Sequence, residues 1–120
     1  MINLMIDSEK IIKTLRKFAN ERDWEKFHTP KNLASSIVVE ASELLEIFQW
    51  SRGQEGWHEI DDPKLRERVE EELADVLIYV LRFADLAKID LNKAMERKIA
   101  SNAVKYPPQK SKGTDRKYNE

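Results

Sequence analysis

Apolar residues recur along this chain at the three-and-four spacing of amphipathic helices, and no strand is needed to account for the pattern. Ile11, Ile12, Leu15, Phe18 and Ala19 share one side of a first helix, opened by Asp7 or Ser8 as N-cap and expected to end near Asp23. Leu33, Ile37, Ala41, Leu44 and Phe48 form the stripe of a second. Thr29-Pro30, an N-cap followed by proline at the first helical position, starts it, and it is expected to run to about Trp50. Ser51 to Asp62, holding Gly53 and Gly56, reads as a loop, and Asp62-Pro63 repeats the cap-and-proline signal for a third helix reaching about Ala87. That helix is about 37 Å long at the standard rise per residue. Asp90 caps a fourth helix to about Val104, which Pro107-Pro108 stops. The pattern predicts an all-α fold: a four-helix bundle-like subunit over residues 1–105, followed by a basic tail over 106–120. From Val76 to Leu81 the third helix is apolar all round, so it must be central. Four helices in so short a chain leave a small core, and subunits are expected to share helix surfaces in a homo-oligomer.

At 120 residues the chain is the size of one domain, and 41% hydrophobic residues suffice for a core. The 21 basic and 22 acidic residues nearly cancel, which removes any global attraction to nucleic acid. Three scattered glycines exclude a glycine-rich phosphate loop, so any phosphate must be held another way. The absence of cysteine excludes disulfides, thiolate metal sites and a cysteine nucleophile, and fits a reducing cytoplasm. No apolar run approaches the length of a membrane span.

The sharpest chemical feature is a repeated acidic pair: Glu40 and Glu43 on the second helix, Glu72 and Asp75 on the third. Each pair is spaced i, i+3. Glu40 falls beside Leu33 and Leu44, and Glu72 beside Val76 and Tyr79, so both pairs border buried surface. If the two helices face each other at the usual separation of about 8–10 Å, four carboxylates converge on one small volume. Desolvation and mutual repulsion then demand a positive charge among them. Lys or Arg can supply it, but an all-carboxylate cluster is what a hard divalent cation prefers, so Mg²⁺ is the inferred ion, with Mn²⁺ as substitute. The bland alternative is a set of surface ion pairs, as Glu67 and Glu70 make with their neighbouring arginines.

Beyond the acids, the chain carries Phe18-Ala-Asn-Glu-Arg-Asp-Trp24-Glu-Lys-Phe-His28-Thr-Pro-Lys-Asn32, Glu43-Leu-Leu-Glu46-Ile-Phe-Gln-Trp50, Glu71-Glu72-Leu-Ala-Asp75-Val-Leu-Ile-Tyr79 and Lys98-x-x-x-Asn102-x-x-Lys105-Tyr106-Pro107. The set resembles the MazG-like all-α nucleotide pyrophosphohydrolases, in their dCTP pyrophosphatase branch, over about residues 15 to 118. The resemblance implies Mg²⁺-dependent hydrolysis of a (deoxy)nucleoside triphosphate, dCTP or a modified or non-canonical relative, to the monophosphate and pyrophosphate. It also implies a homotetramer built as a dimer of dimers. Glu40, Glu43, Glu72 and Asp75 would then be metal ligands and catalytic residues, and one of them, or Glu46, would orient the attacking water. Trp24 and Trp50 would contact the base, with ordinary core packing as the alternative. His28 and Asn32, on the approach to the second helix, can read a base edge or serve as loop and cap residues. By the same resemblance Lys98 meets phosphate, Asn102 sugar or phosphate, and Tyr79 the deoxyribose; a snorkelling lysine and a core tyrosine are the structural alternatives. Arg82 is expected in a structural salt bridge more than on phosphate. Arg116 and Lys117, in the Arg116-Lys117-Tyr118 stretch, would close over the triphosphate as a lid.

Two other readings compete. A di-iron carboxylate bundle needs Glu-x-x-His on two long helices, whereas Glu25-x-x-His28 leads into the second helix and Glu55-x-x-His58 lies in the Ser51 to Asp62 loop. A non-enzymatic helical module would instead offer its acids to a basic partner.

Overall fold

The structure is a computed structural model and describes residues 5–117, so Tyr118 lies outside the described residues. Five helices follow one another: α1 (Ser8–Glu21), α2 (Pro30–Ile47), α3 (Pro63–Ala87), α4 (Leu91–Lys105) and the single turn α5 (Pro108–Ser111), with 3-10 turns at Glu25–Phe27 and Gly56–Ile60. There is no strand among the described residues. None of the helices is long and apolar enough to cross a membrane.

Local chemistry sets the boundaries. The Asp7 carboxylate accepts the Lys10 amide at 3.1 Å, and the Thr29 hydroxyl accepts the Asn32 amide at 3.2 Å with Pro30 behind it. Asp90 does the same for Lys93 at 3.1 Å. Each satisfies an amide that helix geometry leaves without a partner. Asp23 takes a φ of 53°, the left-handed conformation that turns the chain out of α1. One boundary differs from expectation: α2 stops at Ile47 rather than Trp50, because the Phe48 amide turns to the Leu45 carbonyl and Ser51 to that of Phe48, which winds the end into tight turns. The Pro107-Pro108 step both ends α4 and, with Pro108 in the first helical position, opens α5.

The chain forms two compact units, Met1–Ala87 and Lys88–Glu120. In the first, α3 is the central element: α2 lies along it, α1 packs on it more lightly, and the Gly56–Ile60 turn rests near its start. The fully enclosed core is thin, consisting of Ala19, Leu33, Leu81 and Ala84 with the charged Arg82 among them. Large apolar side chains stay open instead: Val38, Val39 and Leu45 on α2, Leu73 and Leu77 on α3. Ala41, placed in the core stripe by periodicity, is also exposed.

An ionic link stiffens the α1–α3 contact. Arg16 Nε donates to Asp85 Oδ2 at 2.9 Å and its second terminal nitrogen to Oδ1 at 2.5 Å, while Arg82, 4% exposed, approaches the same carboxylate at 3.7 Å. The Arg16 hydrogen bonds hold the Asp85 carboxyl below its ordinary value of 3.8, against the opposing effect of burial. A lowered carboxyl contributes stability that is complete above the unfolded value and is lost as pH falls through the folded one. We therefore expect Asp85→Asn to reduce the unfolding free energy by about 3 kcal/mol at neutral pH in urea titrations, since two guanidinium groups lose their counter-charge. The gap to wild type should close as the medium is acidified below about pH 4.

Candidate metal centre and adjoining cavity

Because α2 and α3 lie side by side, the two i, i+3 acidic pairs meet. One carboxylate oxygen from each of Glu40, Glu43 and Glu72 lies within 4.8 Å of the other two. Asp75, one turn beyond Glu72, is half-buried and stands outside that tightest group, but its charge acts on both Glu40 and Glu72. No lysine or arginine pairs with any of the four among the described ion pairs.

The cost of this convergence is visible in the protonation equilibria. Glu40 is pushed up to about 7, first by hydrogen bonding with the Glu43 carboxyl, then by burial and by the charges of Glu43, Asp75 and Glu72. Glu72 is also raised, chiefly by burial and then by Glu43. Oε2 of Glu40 and Oε2 of Glu72 are enclosed with no hydrogen-bond partner. Buried carboxylate oxygens are normally satisfied, and two orphaned ones directed into a patch of uncompensated negative charge suit a hard cation that takes oxygen ligands. The donor set therefore fits a divalent metal.

A cavity of about 260 Å³ is lined by Trp24, Phe27, His28, Asn32, Leu33, Ser36 and Tyr79. It brings together four of the residues singled out by sequence, Trp24, His28, Asn32 and Tyr79. Trp24 sits edge-on to Phe18, with ring centroids 5.7 Å apart, and remains partly open. Asn32 donates its side-chain amide to the Phe27 carbonyl at 2.9 Å, tying the Glu25–Phe27 turn to the start of α2. Trp50 lies elsewhere, 89% exposed past the end of α2, where it lines a second cavity of about 440 Å³ with Phe48, Arg52, Glu59 and Leu65. Lys98 and Asn102 are on α4 and Arg116 and Lys117 follow α5, all in the second unit. Phe27 and Ser36 carry no signal in the sequence that marks them as cavity residues. Arg82 makes the structural ion pair expected of it, and in addition donates from Nε to His28 Nδ1 at 3.1 Å.

Known proteins resemble this chain in sequence and in fold. A sequence profile of the MazG-like family matches residues 35–120. The chain is 41% identical over 112 residues to dCTP pyrophosphatase 1 of Rattus norvegicus and 40% identical over 116 residues to that of Homo sapiens, in each case over 93% of this chain. It spans 66% of the length of those two relatives, and 69% of that of Bos taurus dCTP pyrophosphatase 1, to which it is 38% identical over 94% of its own length. Among solved structures, a pyrophosphatase from Archaeoglobus fulgidus superposes with a TM-score of 0.77 at 45% identity, covering 89% of this chain and 98% of that one.

A raised carboxyl favours the unfolded chain, which ionises first: the effect is absent below the unfolded value of 4.5, grows as pH climbs towards about 7 and is complete above it. In chelator, the melting temperature should therefore fall between those limits, and Glu40→Gln should melt higher than wild type at pH 8 but not in acid. Millimolar Mg²⁺ should restore the wild-type melting temperature at pH 8 and leave the variant's nearly unmoved; equal responses would exclude cation binding at this cluster.

Proposed function

The chain belongs to the MazG-like family, and from that premise we propose that it is a nucleoside triphosphate pyrophosphohydrolase. It takes dCTP or a modified or non-canonical deoxynucleotide to the monophosphate and pyrophosphate, and so clears the nucleotide pool. The observation that carries this reading is the convergence of Glu40, Glu43 and Glu72 within 4.8 Å, with enclosed oxygens that have no protein partner. The dCTP pyrophosphatase relatives support the substrate class.

Glu40, Glu43, Glu72 and Asp75 would hold Mg²⁺, or Mn²⁺ in its place. When bound, such an ion neutralises phosphate oxygens and makes a water acidic enough to attack a phosphoanhydride. The protein's own part is to fix the four acids on two rigid helices, so that the site is assembled before substrate arrives. One of these carboxylates, or Glu46, orients the attacking water and receives its proton. Trp24 supplies an aromatic wall to the base, His28 and Asn32 offer it polar atoms, and Tyr79 packs against the sugar. The resemblance would further assign Lys98 and Asn102 to phosphate and sugar, Arg116 and Lys117 to a cover over the triphosphate, and Trp50 to a base. A reading as an acid-bearing interaction module is weaker, because such a module would turn its carboxylates outward rather than enclose two of their oxygens.

The active form is a homotetramer, a dimer of dimers, working in the reducing cytoplasm that a chain without cysteine suits. Its copies would cover Val38, Val39, Leu45, Leu73 and Leu77, which a single chain leaves open.

The decisive assay is a panel of deoxy- and ribonucleoside triphosphates with Mg²⁺, separating pyrophosphate from phosphate release. We expect a pyrimidine deoxynucleotide, dCTP or a derivative, to be turned over best, with pyrophosphate as the product. Glu43→Gln and Asp75→Asn should each lower kcat by at least about a hundredfold, while light scattering still reports a tetramer. Turnover at the wild-type rate in either variant would remove that residue from the site.

A further inference from the structure

The hydrogen bond between Arg82 and His28 constrains more than packing. A guanidinium N–H donates and never accepts, so a ring nitrogen receiving it must carry a lone pair. His28 Nδ1 receives Arg82 Nε at 3.1 Å. The imidazole proton is therefore on Nε2, and the doubly protonated ring is excluded while the contact lasts. Arg82 itself has little freedom to leave: it is 4% exposed and shares the Asp85 carboxylate with Arg16. A parallel argument fixes Asn32. Its amide nitrogen donates to the Phe27 carbonyl at 2.9 Å, so its carbonyl oxygen is the end turned away from that contact.

His28 and Asn32 line the same 260 Å³ cavity, beside the Trp24 ring. With Nδ1 committed to buried Arg82, Nε2–H is the ring atom left for whatever enters. We propose that Arg82 is a positioning residue: it locks His28 as the neutral Nε2–H tautomer, so that the cavity presents an N–H donor, with the Asn32 carbonyl as acceptor, to the edge of a nucleobase. The ligand class is a heterocycle with an acceptor atom next to an amino or imino donor, as at N3 and N4 of cytosine. The proposal rests on the hydrolase reading above for the identity of that base. The charged groups acting on His28 are Arg82 and Glu25; Arg82 and burial lower its proton affinity, and the opposing pull of Glu25 is weaker. An arginine holding a histidine by its inner nitrogen thus does for base recognition what a second-layer carboxylate or carbonyl does for a metal-bound histidine.

The test is nitrogen-15 spectroscopy of the imidazole rings in the full chain. Only His28 and His58 contribute, and His58→Gln separates them. We expect Nδ1 of His28 to appear unprotonated and Nε2 protonated at neutral pH, with the Nε2–H signal moving when dCMP is added. A ring that averages between tautomers, or one protonated at Nδ1, overturns the proposal, and the wild-type spectrum needs no variant to fold. Arg82→Met keeps Asp85 paired with Arg16 and should let the ring average, while Arg82→Lys should restore the single tautomer in part. In kinetics, loss of the base hydrogen bond predicts a KM raised about tenfold with kcat within about twofold for His28→Asn. His28→Gln, whose amide nitrogen reaches the Nε2 position, should come closer to wild type. Equal defects in the two His28 variants would also count against the proposal. Absence of turnover on every nucleotide would overturn the hydrolase reading instead, and the ring spectrum would still decide the tautomer.

Discussion

Like charges brought together out of water are the constraint around which the first unit is organised. Two helices supply acids at matching intervals, and packing along α3 forces their carboxylates within a few ångströms of one another. Among the described ion pairs none neutralises them: Glu40 retains its proton towards neutrality and two enclosed oxygens have no hydrogen-bond partner. Such an arrangement lasts only if the remaining contacts outweigh the repulsion, or if a cation joins it. Near the acids Leu33 is buried and Leu44 and Val76 half-buried, and the packing of α2 along α3 is what assembles the cluster.

Positive charge is placed with equal selectivity. Arg16 and Arg82 share the carboxylate of Asp85, which follows Asp75 on α3 by more than two helical turns. Placed nearer, either guanidinium could neutralise the glutamates and take the place of a cation. Instead Arg82 is spent between Asp85 and His28. The acids are left as a negative site, and the cavity beside Trp24 and Tyr79 gains a neutral, directional donor.

Much of this was readable from residue order. Cap-and-proline signals located the starts of α2 and α3, and Asp7 and Asp90 those of α1 and α4; Asp7, Thr29 and Asp90 act through bonds to amides three positions on. The i, i+3 acids could be read as facing a partner because helical geometry alone sets their direction. What escaped depends on contacts distant in sequence or on competition between nearby hydrogen bonds. Gln49 and Trp50 fall outside α2 because its last amides find nearer carbonyls, and Ala41 is exposed although it stands in phase with Leu33 and Ile37. The separation of Trp50 from the cavity that holds Trp24 has no local signature. The Arg82–His28 bond spans 54 positions, and neither residue type announces it.

The thin core has a consequence for how the polypeptide reaches its working form. Among the described residues, no large side chain is wholly shielded from solvent within one copy. If neighbouring copies complete that shielding, folding and association become a single equilibrium, and dilution acts as a denaturant. Scarcity of the protein would then silence it by unfolding the scaffold itself, without any change at the acids.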